Sequence, residues 1–364
     1  MAATRRVLRY VPGGRPGRGP WVAAVCSAFF YLYAGVLVAR LSAWIDLFRS
    51  PAPDGVGGAV AAAAGLVLFY AAAVYPGIVD ERASGKVFAD RSRRFRAHKP
   101  AVVGLVVFLF FLGVSLLAPL IAPYDPSVQT DPAVERYQSP SASHLFGTDK
   151  FGRDILSRVI FGARVSLGVG VSAVLLATLL GTLVGAASGY AGGRVDDAAM
   201  RVVDGLLAFP RLLLLLTLVA FFANSIWLVV AVLALTGWMG FARLIRAEVL
   251  VLKESDFVQA AVAGGVGRGR IVWRHLIPNT LGTVVVAATL RFAMLILLES
   301  YLSFLGLGVQ PPTPSWGGMV FDGREVLVAA WWVSAFPGLA IVGAVVACNL
   351  VGDGLRDALD VRMG

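Results

Sequence analysis

The sequence predicts an all-α polytopic membrane protein of eight spans with both termini in the cytoplasm. Two observations set the class. Of its 364 residues 58% are hydrophobic and only 15% charged, whereas soluble domains carry about 25% charged residues. The apolar residues also gather in uncharged runs long enough for a helix to cross a bilayer, about 20 residues each. A third observation sets the orientation: the segments between the runs alternate between rich and poor in Lys and Arg. A helix suits such runs because lipid offers no partner to backbone amides and carbonyls, which must then be bonded within the segment.

The spans follow in order. Residues 19–39 lie uncharged between Arg18 and Arg40, residues 55–79 between Asp54 and Asp80, and residues 100–124 between Lys99 and Asp125. A fourth lies between Arg164 and Arg194. The run from Arg211 to Arg243 is too long for one helix and short for two; it divides at Asn224 and Ser225, provided its first helix begins near Gly205 and Arg211 snorkels to the near surface. The seventh covers about Leu281 to Leu302, carrying Arg291 and Glu299, and the eighth about Ala335 to Gly352. A cleaved signal peptide over 5–42 is the competing reading of the start; it is weakened by an apolar run longer than the usual h-region of about 7–15 residues and by the lack of an A-x-A site.

Lys and Arg gather on the cytoplasmic side. With the N-terminus inside, the segments 1–20, 80–100, 189–204, 243–280 and 353–364 hold 22 of the 32 basic residues, and the outside segments hold 6. The net charge of +10 is therefore an orientation signal and not a nucleic-acid footprint, which would be a basic patch on a soluble domain. The 81–100 linker is basic and placed to meet anionic lipid headgroups. Outside, 123–163 opens with turn formers and ends in an amphipathic stretch, GRDILSRVIFGAR, and 303–332 is too rich in Gly and Pro for a regular span. Both are placed to receive cargo or a partner.

Enzyme chemistry finds little support. Cys26 and Cys348 sit in apolar runs, and His98, His144 and His275 are scattered without ligand-like spacing, so no metal site is expected. Gly85-Lys86 lacks the upstream glycine of a phosphate-binding loop, Gly264, Gly265, Gly267 and Gly269 do not fit a dinucleotide fingerprint, and no zinc-protease or nucleophile-elbow motif occurs. Among intramembrane ionisable residues, Arg291 and Glu299 are two helical turns apart on one face. Either Glu299 reaches the outer surface while Arg291 pairs inside the bundle, or both lie on a cargo path.

The segment 243–280 carries the decisive pattern. A helix end is followed by Ser255-Asp256, a small-residue helix containing Gln259, Ala260 and Ala261, a turn at Gly265, and a second amphipathic helix ending at Pro278. The two alanines leave room for close approach by another protein, and Gly265 permits the turn. This order, with His275 and Asn279, resembles the EAA loop of bacterial ABC-importer permeases, and more narrowly the second permease subunit of dipeptide and oligopeptide importers. The stretches FGTDKFGRDILSRVIFGARVSLGVG (146–170), GYAGGRVDDAAMRVVDGLLAFP (189–210), SFLGLGVQPPTPSWGGM (303–319) and NLVGDGLRDALD (349–360) agree in order.

The resemblance covers about 93–364 and implies a six-helix importer core within a permease domain at 101–364, with its coupling loop at about 247–280. It implies a homologous permease partner, two ATPase subunits that hold ATP and Mg, an extracytoplasmic solute-binding protein, and no cofactor in this chain. Gln259, Ala260, Ala261, Gly265 and Pro278 would carry the coupling to the ATPases. Gln259 replaces the usual glutamate, Val361 a common proline, and Arg291 is unusual on its helix. Peptide, glutathione and nickel importers share these blocks. The hairpin at 21–80 lies outside the resemblance, and a stand-alone secondary transporter is the alternative from another class, although no inverted repeat is apparent.

Overall fold

The computed structural model describes residues 92–129, 135–221 and 225–359. The spans expected at 19–39 and 55–79, the basic N-terminus 1–20, most of the 81–100 linker, Cys26, Asn224 and Val361 lie outside the described residues. Among the described residues the structure is helical, and five helices are long and apolar enough to cross a membrane.

α1 (Lys99–Ile121) is capped by His98, whose Nδ1 accepts from the Ala101 amide at 3.2 Å, and has Pro100 in its first turn, where a proline costs no hydrogen bond. Much of it faces outward with apolar side chains such as Val106, Phe110 and Leu120, the surface expected against lipid. α2 (Ile155–Ala191) has 37 residues, about 55 Å of helix, more than a bilayer core of about 30 Å requires. The expected outside segment therefore ends sooner than its composition suggests: GRDILSRVIFGAR does not form a separate surface helix but opens α2. Asp154 caps α2 by accepting from the Ser157 amide, and Ile155, Ser157 and Arg158 are buried.

α3 (Gly193–Leu207) and α4 (Arg211–Phe221) meet at 86° and form one broken span at most. Their break at 208–210 contains Pro210, which cannot continue the ladder of α3. At 11 residues α4 is too short to cross alone. α5 (Ile226–Leu252) starts where the sequence divides the long run, with Ser225 as its cap, accepting from Leu228. α5 packs along α2 through glycine contacts. An added Cβ at Gly185 would lie 2.5 Å from the Ala242 carbonyl oxygen, and one at Gly181 would lie 2.6 Å from that of Trp238.

Two short helices follow, α6 (Asp256–Ala263) and α7 (Arg268–Ile271), then a π turn at Val272–Leu276 that runs directly into α8 (Ile277–Phe304). The expectation that Pro278 ends a helix is corrected here. Pro278 lies in the first turn of α8 and the chain stays helical through it, because the wider π turn precedes the position where the proline would otherwise orphan a carbonyl. α9 (Trp316–Gly323) is a short outer helix, and α10 (Trp332–Leu359) is the last span. α10 packs on α1 and α8, with Gly354 against Ala101 and Gly352 against Leu290. A core of buried apolar side chains including Leu233, Phe241, Ile296 and Trp316 joins α2, α4, α5, α8, α9 and α10.

Candidate functional site

The loop between α5 and α8 is built as a hairpin on the ends of the closely packed α2 and α5. Val258 and Ile271 turn inward onto Ala186 of α2 and Ile245 and Val249 of α5, joined by Leu276, Ile277 and Val284. This satellite core fixes α6 in place and leaves its other face open. Phe257, Gln259, Ala260 and Val262 are exposed, Ala261 is half-buried against the satellite core, and the exposed Trp273 stands on the π turn beside Arg274. Gly264 ends α6, and Gly265 follows with φ of +74°, a conformation that costs most side chains strain. Nothing approaches within 4 Å of a Cβ built there.

Gln259 does work that a glutamate cannot. Its Nε2 donates to the Lys253 carbonyl at 3.0 Å, meeting one of the carbonyls left open at the end of α5. Asn279 likewise donates to the His275 carbonyl at 2.5 Å, within the segment where the π turn alters the ladder. Gln259, Ala260 and Gly265 are thus exposed on the hairpin and Ala261 is turned half inward, whereas the half-buried Pro278 lies at the hairpin's root. α3 is held to α5 beside this loop: Arg246 grips both oxygens of Asp196 at 2.6 and 2.5 Å, and Arg243 pairs with Asp204.

The opposite end is organised by buried charge. In the FGTDKFGRD stretch, Asp149 accepts from the amides of Phe151 and Arg153 and from the Arg153 guanidinium at 2.7 Å, with Arg158 at 3.6 Å. Gly147 has φ of +76°, and a Cβ there would lie 2.5 Å from the Gln138 carbonyl. Lys150 reaches Asp322 of α9 at 2.8 Å, and the Trp332 indole donates to the Thr148 carbonyl. Outside this knot Asp125 accepts from Ser127, which holds its carboxyl below the usual carboxylate range.

Arg291 and Glu299 do not meet. Glu299 is fully buried, accepting from Ser303 at 2.8 Å and Ser166 at 3.2 Å. Ser166 Oγ also accepts from the Trp316 amide at 3.2 Å, so the carboxylate ties α2 and α8 to α9. Arg291 lies over the Phe241 ring at 5.2 Å and against Gly240. Arg211, half-buried at the start of α4, lies beside Gly237.

Residues 177–364 match the family model of the binding-protein-dependent transport system inner membrane component. This chain belongs to that family of membrane permeases. Residues 87–140 match the N-terminal membrane domain of oligopeptide transport permease C. The chain is 40% identical over 284 residues to a dipeptide transport system permease protein of Alkalihalophilus pseudofirmus, covering 78% of this chain and 93% of that one. It is 43% identical over 276 residues to an oligopeptide transport system permease protein of Escherichia coli, covering 76% and 91%. For one of Bacillus subtilis the identity is 37% over 277 residues, covering 76% and 90%. As a binding-protein-dependent permease with several long apolar helices, the protein resides in the membrane as a multi-pass component of a transport system.

The residues that the sequence pattern missed are the tightly packed glycines Gly181, Gly185 and Gly189. Their four-residue spacing was the available signal, since it puts small residues on one helix face.

Proposed function

We propose that this permease is one membrane subunit of an ATP-driven ABC importer and forms half of a translocation path for peptides. A homologous permease supplies the other half, two ATPase subunits bind ATP and Mg in the cytoplasm, and an extracytoplasmic binding protein delivers cargo. The relatives' names favour peptide cargo over nickel or glutathione. The observation that carries the reading is the α6 hairpin. It exposes Phe257, Ala260 and Val262 outside the spans, on a hairpin that also carries Lys253, Arg268, Arg270 and Arg274. Exposed apolar side chains among charged ones are the form of a protein-docking surface. α6 then transmits ATPase movement through its satellite core to α2, α5 and α8, and Pro278 stands at the pivot between hairpin and span.

Gly265→Asp tests the coupling. Aspartate tolerates the left-handed conformation better than most residues, so the chain stays in the membrane, but a charge is added at the docking face. In proteoliposomes containing the whole complex, the variant is expected to hydrolyse ATP without driving peptide uptake. Uptake coupled as in the unaltered complex would reject the role given to α6.

A further inference from the structure

We propose that Arg211 and Arg291 form a cationic station on the cytoplasmic half of the membrane span, within two turns of Arg243, that takes the carboxylate of a passing peptide, a step resting on the importer reading above. Gly237 and Gly240 of α5 lie one helical turn apart, about 17 and 21 Å along a helix of about 40 Å. The Arg211 guanidinium lies 3.6 Å from a Cβ built at Gly237, and the Arg291 guanidinium occupies the space that a side chain at Gly240 would fill. Two cations from different helices, α4 and α8, therefore rest on one glycine-lined stretch of α5. Arg291 is further held by the face of Phe241. Among the described residues no carboxylate pairs with either arginine. The Nε of Arg211 is buried without a hydrogen-bond partner.

A charge within a span is costly and persists where a partner or a wet cavity offsets it. Both guanidiniums are half-buried against α5 inside the bundle, which turns them from the lipid phosphates toward whatever passes along the bundle. Two planar guanidinium forks suit a carboxylate, which each can grip through paired N–H donors, and every peptide with a free C-terminus carries one. An arriving carboxylate would offset both charges at once. The glycines keep the station open by leaving α5 without bulk at this level.

The test uses the complete reconstituted complex with its binding protein. It compares ATP-driven uptake of a peptide with that of its C-terminal amide, each at a concentration that saturates the binding protein. In Arg211→Gln and Arg291→Gln, uptake of the free-carboxylate peptide is expected to fall about ten- to a hundredfold, the loss of one charge-assisted hydrogen-bonded pair. Uptake of the amide and binding-protein-stimulated ATP hydrolysis should change less than about twofold, and Arg→Lys should retain more uptake than Arg→Gln because the charge survives without the fork. Equal loss for both peptides, unchanged uptake, or loss of the partner permease from the purified variants overturns the station, the last because it assigns the arginines to an ion pair between subunits. An unaltered complex that fails to accumulate peptide with ATP overturns the importer reading and this inference with it; normal uptake indifferent to both arginines overturns this inference alone.

Discussion

Asp149 shows how a surface-looking motif becomes a structural lock. Its carboxylate is only 3% exposed and faces two buried guanidiniums, Arg153 and Arg158. Removing one partner of a buried pair costs about 3–5 kcal/mol because the remaining charge stays desolvated. Asp149→Asn keeps the size and one acceptor oxygen but removes the charge. The thermal unfolding of the detergent-purified complex is expected to shift markedly downward, with a much smaller shift for Lys150→Met, whose pair with Asp322 is partly exposed. Comparable shifts in the two variants would deny Asp149 its central place. Gln259 makes the same point at the other end: its departure from the EAA pattern removes a charge and supplies an N–H donor to the Lys253 carbonyl.

At the scale of elements, the α2–α5 contact depends on glycines that meet backbone rather than side chains, and backbone cannot rotate away. Gly185→Ala places a methyl carbon 2.5 Å from the Ala242 carbonyl oxygen and is expected to destabilise by about 1–3 kcal/mol, the range for overpacking. Gly205→Ala in α3 meets nothing within 4 Å and should be neutral or stabilising by about 0.5–1 kcal/mol, since it removes helical glycine entropy. Unfolding midpoints of the two variants decide this; a tolerant Gly185 would mean that the helices separate freely. The same contrast explains what sequence could reveal. Spans appeared through lipid-facing side chains such as Val106 and Phe110, because hydrophobicity is written residue by residue, and the turn at Gly265 appeared because only its residue type fits. The continuity of α2 into GRDILSRVIFGAR was hidden, since Arg153 and Arg158 read as surface charges until both are seen to be buried around Asp149. The passage of α8 through Pro278 was hidden for a similar reason: proline signals a stop, and the π turn that accommodates it has no compositional mark.

The whole molecule separates two kinds of charge. Basic residues in the expected inner segments carry orientation, and 22 of 32 lie there, while Arg153 and Arg158 are enclosed in a knot on the opposite side and Arg211 and Arg291 lie half-buried against α5. If density of exposed basic residues sets orientation, the enclosed ones should not count as anchors, and α6 must face the cytoplasm while the 303–332 segment faces outward. Val328 is fully exposed in that segment, and Ala260 is exposed on α6. In a background with Cys26 and Cys348 replaced, Val328→Cys is expected to react with a membrane-impermeant maleimide on intact cells. Ala260→Cys should react only after the membrane is opened. Labelling of Ala260→Cys from outside would invert the topology and overturn the proposed docking of an ATPase on α6. Labelling of both from one side would break the through-membrane course of α8, the helix that joins the α6 hairpin to the outer loop.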